Sequence, residues 1–486
     1  MTRIDFHLIL PELILSGTIV LVLIVDVFLP NRRKWWSMPL ALAGVLAALI
    51  AELTLVGHHG STFGGSFVID NFAILFQTFF LSVAIVVLAL SLRYFREGGF
   101  YQGEYYFLLL TSFLGCLLMP ASRDLLMLFI ALELVSAPGF LMAAFRKSDP
   151  RSNEAGLKFF LIGVLSTAVM LYGMSLIYGL TGSTRLTEIA TGLAPLSGSK
   201  ETLAFAAILF VVVGFAFKVS AVPFQFWAPD TYEGSPVPVA AFLAVASSAA
   251  GFAGLLQLMF VAFIHQFAFW TPIFAAFSIA TMTLGNLVAL KQTQVVRLLA
   301  YSGIAQSGYM LLPFALVSAD AAVNHQAFAA AVAYILIYGV MNLGAFAVAI
   351  AVSRREPSLL ITDFAGLVRR APLLAIGMTA FMISLAGVPP TGGFWAKILI
   401  FLAAIHRGGI GTLLAVIMVL NSVISISYYF AVPKQMLFET AADESRFRSS
   451  ALVNVVVAVA LVVIVAIFVF PNPIAHAADI STLIGG

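Results

Sequence analysis

The stretch GFAFKVSAVPFQFWAPDTYEGSPVP, residues 214–238, decides the fold because it places a lysine and a proline within an apolar helix. Pro223 lacks a backbone donor and frees a carbonyl one turn earlier, and bare backbone at membrane depth survives only where protein buries it or water reaches it. Lys218 lies five residues before this proline, between two apolar runs. An ionisable group inside a spanning helix costs roughly 2.5–3.5 kcal/mol, so it usually faces a partner or an ion path. We therefore predict a broken membrane helix at a functional site, rather than a lysine that extends to the interface.

The composition excludes an ordinary soluble protein. The chain has 62% hydrophobic and 10% charged residues, whereas globular domains contain about 25% charged residues. At about 20 residues per span, its 486 residues leave room for about 14 membrane helices with short loops. A net charge of +3 gives no reason to expect nucleic acid as a partner, and the single cysteine, Cys116, provides no disulfide or metal framework. The fold class predicted is an all-α polytopic membrane protein, with the first apolar run retained as a span and not cleaved as a signal peptide.

The apolar runs give the predicted spans and domains. The runs are 11–29, 37–56, 70–92, 105–121, 123–145, 155–180, 202–234 (interrupted), 237–263, 269–290, 297–317, 326–352, 372–405 (interrupted), 410–431 and 450–470. The corresponding domains are three N-terminal helices in 1–96, a first five-helix repeat in 104–265, a second repeat of opposite topology in 269–433, and a last helix with its tail in 446–486.

A second interrupted span repeats features of the first. The segment AVPFQFW (221–227) has a counterpart in GVPPTGGFW (387–395), where Pro389 and Pro390 make the break and Lys397 follows it. Inverted repeats whose discontinuous helices meet near the middle of the bilayer are a common plan of secondary transporters. Proline kinks are also ordinary in membrane helices, but two matching breaks that each carry a lysine favour the repeat.

One carboxylate is placed to partner these lysines. Glu133 lies about halfway along an apolar span, and we expect it to form a direct or water-bridged ion pair with Lys218, because an uncompensated buried charge is costly. The alternative is a protonated glutamate bonded to a neighbouring helix. Lys158 begins the sixth span and could serve either the ion path or the interface. The other acids near span ends are expected to be hydrated: Glu12, Asp26, Glu52 and Glu104.

The basic residues predict the orientation. Most of the 25 Lys and Arg residues occupy alternate loops, beginning with the segment NRRK (31–34). Because cytoplasmic loops carry an excess of Lys and Arg, these loops are predicted to be cytoplasmic. Both termini would then lie on the outer side of the membrane.

Four segments resemble a known family. They are PELILSG (11–17), WAPDTYEGSPVPVAAFLA (227–244), GNLVALKQTQVVRLLAYSGIAQSGYML (285–311) and SLAGVPPTGGFWAKILIF (384–401). These segments are similar to signature stretches of the antiporter-like subunits of respiratory complex I, and most similar to the subunit N branch of bacterial NADH-quinone oxidoreductase. The resemblance covers nearly the whole chain.

This resemblance implies a proton-translocating subunit of the bacterial plasma (inner) membrane that carries no cofactor of its own. NADH, FMN, iron-sulfur clusters and quinone would belong to partner subunits. In the family, the acid that matches Glu133 pairs with the lysine that matches Lys218, and the lysine that matches Lys397 ends the path on the positive side. The implied partners are the neighbouring antiporter-like subunit M, the small subunits J and K, the lateral helix of subunit L, and the lipid bilayer.

The chain departs from the family at two positions. Relatives usually carry a lysine where this chain has Ser248, and many carry a histidine where it has Gln306. A polar cavity between the two lysines could hold water on Ser248, Gln306, Tyr301, Tyr309 and Asn286. Two alternatives to an active proton-translocating subunit therefore stay open: an Mrp-type cation/proton antiporter subunit, or a structural membrane-arm subunit with an impaired proton path.

Overall fold

The computed structural model of this chain describes residues 4–98, 102–441, 445, 449–481 and 483. The domain limits predicted at residues 1, 446 and 486 lie outside these ranges. Within them, the one sheet is a short hairpin of β1 (Gly60–Thr62) and β2 (Phe67–Ile69), which pair antiparallel with Gly60 opposite Ile69. The remaining regular structure in these ranges is helical, as the composition predicted.

The helices run in the following order along the chain. They are α1 (Leu10–Phe28), α2 (Ser37–Leu53), α3 (Asn71–Glu97), α4 (Gln102–Ala121), α5 (Leu125–Ala143), α6 (Pro150–Thr181), α7 (Leu186–Leu193), α8 (Ser199–Lys218), α9 (Trp227–Gly234), α10 (Val237–Ala262, with π-turns at Leu243–Ser247 and Leu258–Ala262), α11 (Phe267–Ala289), α12 (Val295–Ala315), α13 (Ala321–Val352), α14 (Leu367–Arg370), α15 (Pro372–Ala386), α16 (Gly392–Arg407), α17 (Ile410–Phe438), α18 (Ala451–Val469) and α19 (Asn472–Asp479). Short 3₁₀ turns cover Asn31–Trp36, Phe63–Gly65, Ile264–Gln266 and Ile361–Phe364.

Among the described residues, 12 helices are long and apolar enough to cross a membrane. The two other predicted spans are also helical. The tenth corresponds to α12, and the twelfth is divided between α15 and α16. The chain is therefore a multi-pass membrane protein, and the division into two inverted repeats stays a prediction.

Both predicted breaks are present in the structure. The first lies between α8 and α9 and contains Pro223, and the second lies between α15 and α16 and contains Pro389 and Pro390. The sequence placed Lys218 inside its helix, and this was wrong, because Lys218 is the last residue of α8. The helix ends there in a left-handed turn, because Ser220 has φ +55° and the N–H groups of Ser220 and Ala221 donate back to the Phe217 and Ala216 carbonyls. Val222, beyond this turn, donates its N–H to the Thr281 hydroxyl of α11 at 3.0 Å.

The centre of the molecule is formed by α10 and α13. Nearly every residue of their most apolar stretches is buried within the protein. The α10 segment AAFLAVASSAAGFAGLL (240–256) is rich in small residues, which let neighbouring helix backbones approach closely in a membrane protein. These two helices separate the break after Lys218 from the break before Lys397.

Three acids expected at hydrated span ends are buried instead: Glu12, Asp26 and Glu52. The prediction failed for Glu12 and Glu52 because apolar residues outside the helices cover this end of the bundle: Leu8, Ile9 and Leu55 form a cluster with the β2 hairpin strand. Glu104 is exposed, as expected, and pairs with Lys147.

Candidate functional site

Lys218 is buried at the first helix break, with 1% of its surface exposed. Its Nζ donates to Ser136 Oγ of α5 at 2.8 Å, and the Ser136 hydroxyl donates in turn to the Leu132 carbonyl at 2.7 Å. The stem of Lys218 lies against α10, where a Cβ on Gly251 would be only 2.8 Å from Lys218 Cγ. The lysine is therefore held between α5 and α10.

Glu133 lies one helical turn before Ser136 on α5, so both side chains project from the same face. The Glu133 carboxyl interacts electrostatically with Lys218 and contacts Thr167 of α6. No contact within 4.0 Å joins its oxygens to Lys218, and Glu133 Oε1 is buried without a hydrogen-bond partner among the described residues. The direct form of the predicted ion pair is therefore wrong, and the ammonium group instead lies against Ser136, one helical turn further along α5. The water-bridged form stays a prediction.

Lys397 occupies the second turn of α16, just after the second break, and 8% of it is exposed. Its Nζ donates to the carbonyl of Ala386, the last residue of α15, at 2.8 Å. Carbonyls at a helix C-terminus have no partner within the helix, so the ammonium group satisfies one of them. The same Nζ lies 4.8 Å from the centroid of the Tyr309 ring, a cation–π distance.

A cleft of about 310 Å³ adjoins Lys397 and the second break. Its lining includes Gly387 and Val388 of the break and Ser422 of α17. Gly387 has φ +83°, and a Cβ there would be 2.5 Å from Lys397 Cδ. Only glycine therefore allows this backbone conformation and this close approach of the lysine stem.

Gln306 of α12 supports the same helix end. Its Nε2 donates to the Leu385 carbonyl and to the Tyr429 hydroxyl, each at 2.9 Å. Its Oε1 accepts a hydrogen bond from Tyr334 of α13. These three hydrogen bonds of Gln306 thus join α12, α13, α15 and α17 in one buried network.

Asn286 and Tyr309 extend this network beside Lys397, because Tyr428, which donates to Asn286, also hydrogen-bonds Tyr429. Asn286 Nδ2 donates to the Tyr309 hydroxyl at 3.0 Å, and Asn286 Oδ1 accepts from Tyr428 at 2.9 Å. Asn286 Nδ2 also contacts the backbone and side-chain oxygens of Asn421 at 3.2 Å. The structure thus brings Lys397, Tyr309 and Asn286 together, and the prediction that Tyr309 and Asn286 hold water stays a prediction.

Tyrosines occupy the region between the two lysines. Ser248 donates to the Leu243 carbonyl of its own π-turn at 3.1 Å and contacts Tyr232. Tyr338 lies near enough to both Tyr232 and Tyr429 to interact with them electrostatically, and Tyr429 reaches Gln306. Hydroxyl groups therefore line this region between the two lysines.

Two predicted residues lie away from this network. Lys158 is exposed and pairs with Glu154 at 2.8 Å and with Asp230 at 2.7 Å. Tyr301 is half-buried, and the guanidinium of Arg297 lies 6.0 Å from its ring centroid. Lys158 and Arg297 belong to a surface ion cluster around Asp230, so the interface interpretation of Lys158 fits the structure better than a place between the buried lysines.

The sequence analysis missed Ser136 and four further residues of the networks. The helical spacing of Ser136 from Glu133 was a usable signal, because residues three apart share a face. The other four residues gave no such signal, because polar residues on helices far apart in sequence meet only when the helices pack together. These residues are Tyr334, Asn421, Tyr428 and Tyr429.

Comparison with known proteins places this arrangement in a family. The profile of the family described as "NADH:quinone oxidoreductase/Mrp antiporter, TM" matches residues 122–425. NADH-quinone oxidoreductase subunit N of Trichlorobacter lovleyi is 41% identical over 461 residues, which cover 95% of this chain and 92% of the relative.

Solved structures agree with the sequence match. A chain of respiratory complex I from Thermus thermophilus superimposes with a TM-score of 0.79 at 30% identity, covering 98% of this chain and all of that one. A chain of the Mrp complex from Dietzia sp. has a TM-score of 0.86 at 18% identity, covering 98% of this chain and 97% of the other, and that likeness shows the fold alone. The chain therefore belongs to the NADH:quinone oxidoreductase/Mrp antiporter family of transmembrane subunits.

Proposed function

We propose that this chain is a proton-translocating membrane-arm subunit of a bacterial NADH-quinone oxidoreductase. The observation that supports this most strongly is the placement of two buried lysines, Lys218 and Lys397, each at a broken helix and each held by a single protein hydrogen bond. A lysine that releases its proton must not be held in the charged form by a carboxylate. The partners of these two lysines, a serine hydroxyl and a backbone carbonyl, are both uncharged.

The redox chemistry belongs to partner subunits in this proposal. NADH, FMN, iron-sulfur clusters and quinone would be bound there, while this chain moves protons along Glu133, Lys218, the intervening hydroxyl groups and Lys397. Its neighbours would be subunit M, the small subunits J and K, and the lateral helix of subunit L. The chain would cross the plasma (inner) membrane with both termini on the outer side.

The region between the lysines determines how protons would pass. Ser248, Gln306 and the tyrosines offer hydroxyl and amide groups that can orient water, but they do not change charge near neutral pH. Proton transfer would therefore proceed along hydrogen-bonded groups and water, without a titratable intermediate. A structural subunit with an impaired path is the alternative that these two departures favour.

Glu133→Ala tests the proposal. In the purified complex, reconstituted in tight vesicles with NADH and quinone, we expect fewer protons moved per electron pair while the amount of assembled complex stays near normal. Glu154→Ala is the matched control, because Glu154 is an exposed acid that pairs only at the surface. A parallel loss of assembly and proton transfer would instead favour the structural role. Cation/proton exchange in vesicles without any electron donor would favour the Mrp-type antiporter.

A further inference from the structure

The three N-terminal helices bury two carboxyl groups that the proposed function does not use. Glu12 lies in the first turn of α1 with 6% of its surface exposed, and Glu52 lies near the end of α2 with 0% exposed. Helices α1 and α2 pack side by side, joined by a short 3₁₀ turn. Both acids therefore lie at the same end of this helix pair.

The register of the pair brings the two carboxyls together. Ser37 Oγ donates to Asp26 Oδ1 at 3.3 Å, and Thr18 lies against Gly44, where a Cβ would be 2.2 Å from the threonine side chain. This antiparallel register places Glu12 opposite positions one or two residues from Glu52. At about 1.5 Å of rise per residue, the axial offset between the two acids is only about 2–3 Å.

The amide side chain of Gln77, on α3, lies beside the two acids. Its Nε2 donates to Glu12 Oε1 at 2.5 Å and to the Leu117 carbonyl of α4 at 3.0 Å. Its Oε1 is buried and has no donor among the described residues, and the same is true of Glu12 Oε2 and both oxygens of Glu52. Four acceptor oxygens thus lie in one buried place without a donor from the described protein.

Such a set of oxygens requires a positive or hydrogen-bonding ligand. Burying an isolated carboxylate is so costly that the group normally takes up a proton. The charged groups near the two acids do not compensate them: Asp70, the N-cap of α3, pairs with Arg123, and His7 and His58 lie exposed beyond the helix ends. No described Lys, Arg or His forms an ion pair with Glu12 or Glu52.

We propose that Glu12, Glu52 and Gln77 form a proton-binding site in the three N-terminal helices. A proton taken from water makes one carboxyl neutral, and its O–H then donates to an open oxygen of the other carboxyl or of Gln77. The site is distinct from the Glu133, Lys218 and Lys397 positions. It rests on burial and contacts of the N-terminal helices, so it does not depend on the proposed function.

Asp26 provides a contrast within the same helix. It is about as buried as Glu12, at 7% exposed, but Lys34 Nζ lies 3.0 Å from its Oδ2. The Lys34 ammonium group and the Ser37 hydroxyl therefore each donate to one oxygen of Asp26, and these contacts stabilise its ionised form. The difference between the two ends of α1 is one of partners and not of burial.

Infrared difference spectroscopy of the purified, assembled complex tests this site. A protonated carboxyl has a carbonyl stretch that separates from carboxylate bands and shifts in D₂O. Because the site binds one proton between two carboxyls, we expect the double variant Glu12→Gln/Glu52→Gln to remove intensity from this band, at least one of the two single variants to reduce it, and Asp26→Asn to leave it unchanged. Because glutamine matches the shape of a neutral glutamic acid, both glutamine variants should assemble like the parent complex.

Three results would overturn the proposal. Unchanged band intensity in the double glutamine variant would show that neither acid is protonated. A band that appears only when sodium in the buffer is replaced by a bulky organic cation would show that a metal cation, and not a proton, occupies the site. Failure of both glutamine variants to assemble would show that the fold requires the negative charge.

Discussion

Gln306 and Lys397 donate hydrogen bonds to consecutive carbonyl oxygens, those of Leu385 and Ala386, at the C-terminal end of α15. These are the final two residues before the second break, where helix carbonyls lack partners of their own. The two side chains come from α12 and α16, so the end of α15 is held from two directions. Any change in the charge of Lys397 therefore acts directly on the geometry of the break.

We expect Gln306→Leu to destabilise the protein and to reduce proton transfer. The substitution removes the donors to Leu385 and Tyr429 and the acceptor of Tyr334, and each buried group left unpaired costs about 1–3 kcal/mol. Thermal unfolding of the purified complex and proton transfer in vesicles measure the two effects. Gln306→His, which keeps a donor and an acceptor, should retain both properties more fully. Equal behaviour of the leucine and histidine variants would contradict this role.

Gly251→Ala should displace Lys218. An added Cβ would lie 2.8 Å from Lys218 Cγ and 3.0 Å from Val219, and overpacking a buried site typically costs about 1–3 kcal/mol. We expect lower stability together with reduced proton transfer. Gly179→Ala on α6 is the matched control, because nothing lies within 4 Å of its Cβ position. If Gly251→Ala behaved like Gly179→Ala in both assays, Lys218 would not depend on this close approach.

Asp70→Asn should weaken the contact between the N-terminal helices and the first predicted repeat. Asp70 caps α3 through the N–H of Ala73 at 2.9 Å and forms a buried ion pair with Arg123 at 2.5 Å. Breaking a buried pair costs about 3–5 kcal/mol. The free energy of unfolding in detergent measures the change. Glu97→Gln serves as the control, since Glu97 forms exposed pairs that contribute at most about 1 kcal/mol each. If both variants lost a similar, small amount of unfolding free energy, the buried Asp70–Arg123 pair would contribute no more to stability than an exposed pair.

Much of the fold could be predicted because composition and run length constrain membrane helices strongly. Pro223, Pro389 and Pro390 also marked both breaks, since proline cannot continue the helical ladder. The end of α8 at Lys218 could not be predicted, because Ser220 adopts the left-handed conformation, with φ +55°, that glycine or asparagine usually provides at a helix end. A serine at this position gives no sequence signal for such an end.

The site was predictable where burial of charge was the signal. Lys218, Lys397 and Glu133 stood out because ionisable residues are rare in spanning helices. The tyrosine-rich networks did not, because hydroxyl groups in apolar helices are ordinary at helix interfaces. The burial of Glu12 and Glu52 was missed for a related reason, since Leu8 and Leu55, outside the helices, provide their cover.

In the proposed function, Lys397 carries a proton and is not only a hydrogen-bond donor to the end of α15. Lys397→Arg separates the two roles, because arginine keeps the charge, the donors and the cation–π contact with Tyr309 but is not deprotonated in proteins. Lys158→Arg is the control, since Lys158 forms only exposed ion pairs and its replacement should leave proton transfer unchanged.

The decisive measurement is the number of protons moved per electron pair by the Lys397→Arg complex, reconstituted in tight vesicles and driven by NADH and quinone. We predict that the variant assembles and oxidises NADH but loses most of the proton transfer that passes through this chain. A normal proton gradient per electron pair would contradict the account, and would show that Lys397 only supports the helix break.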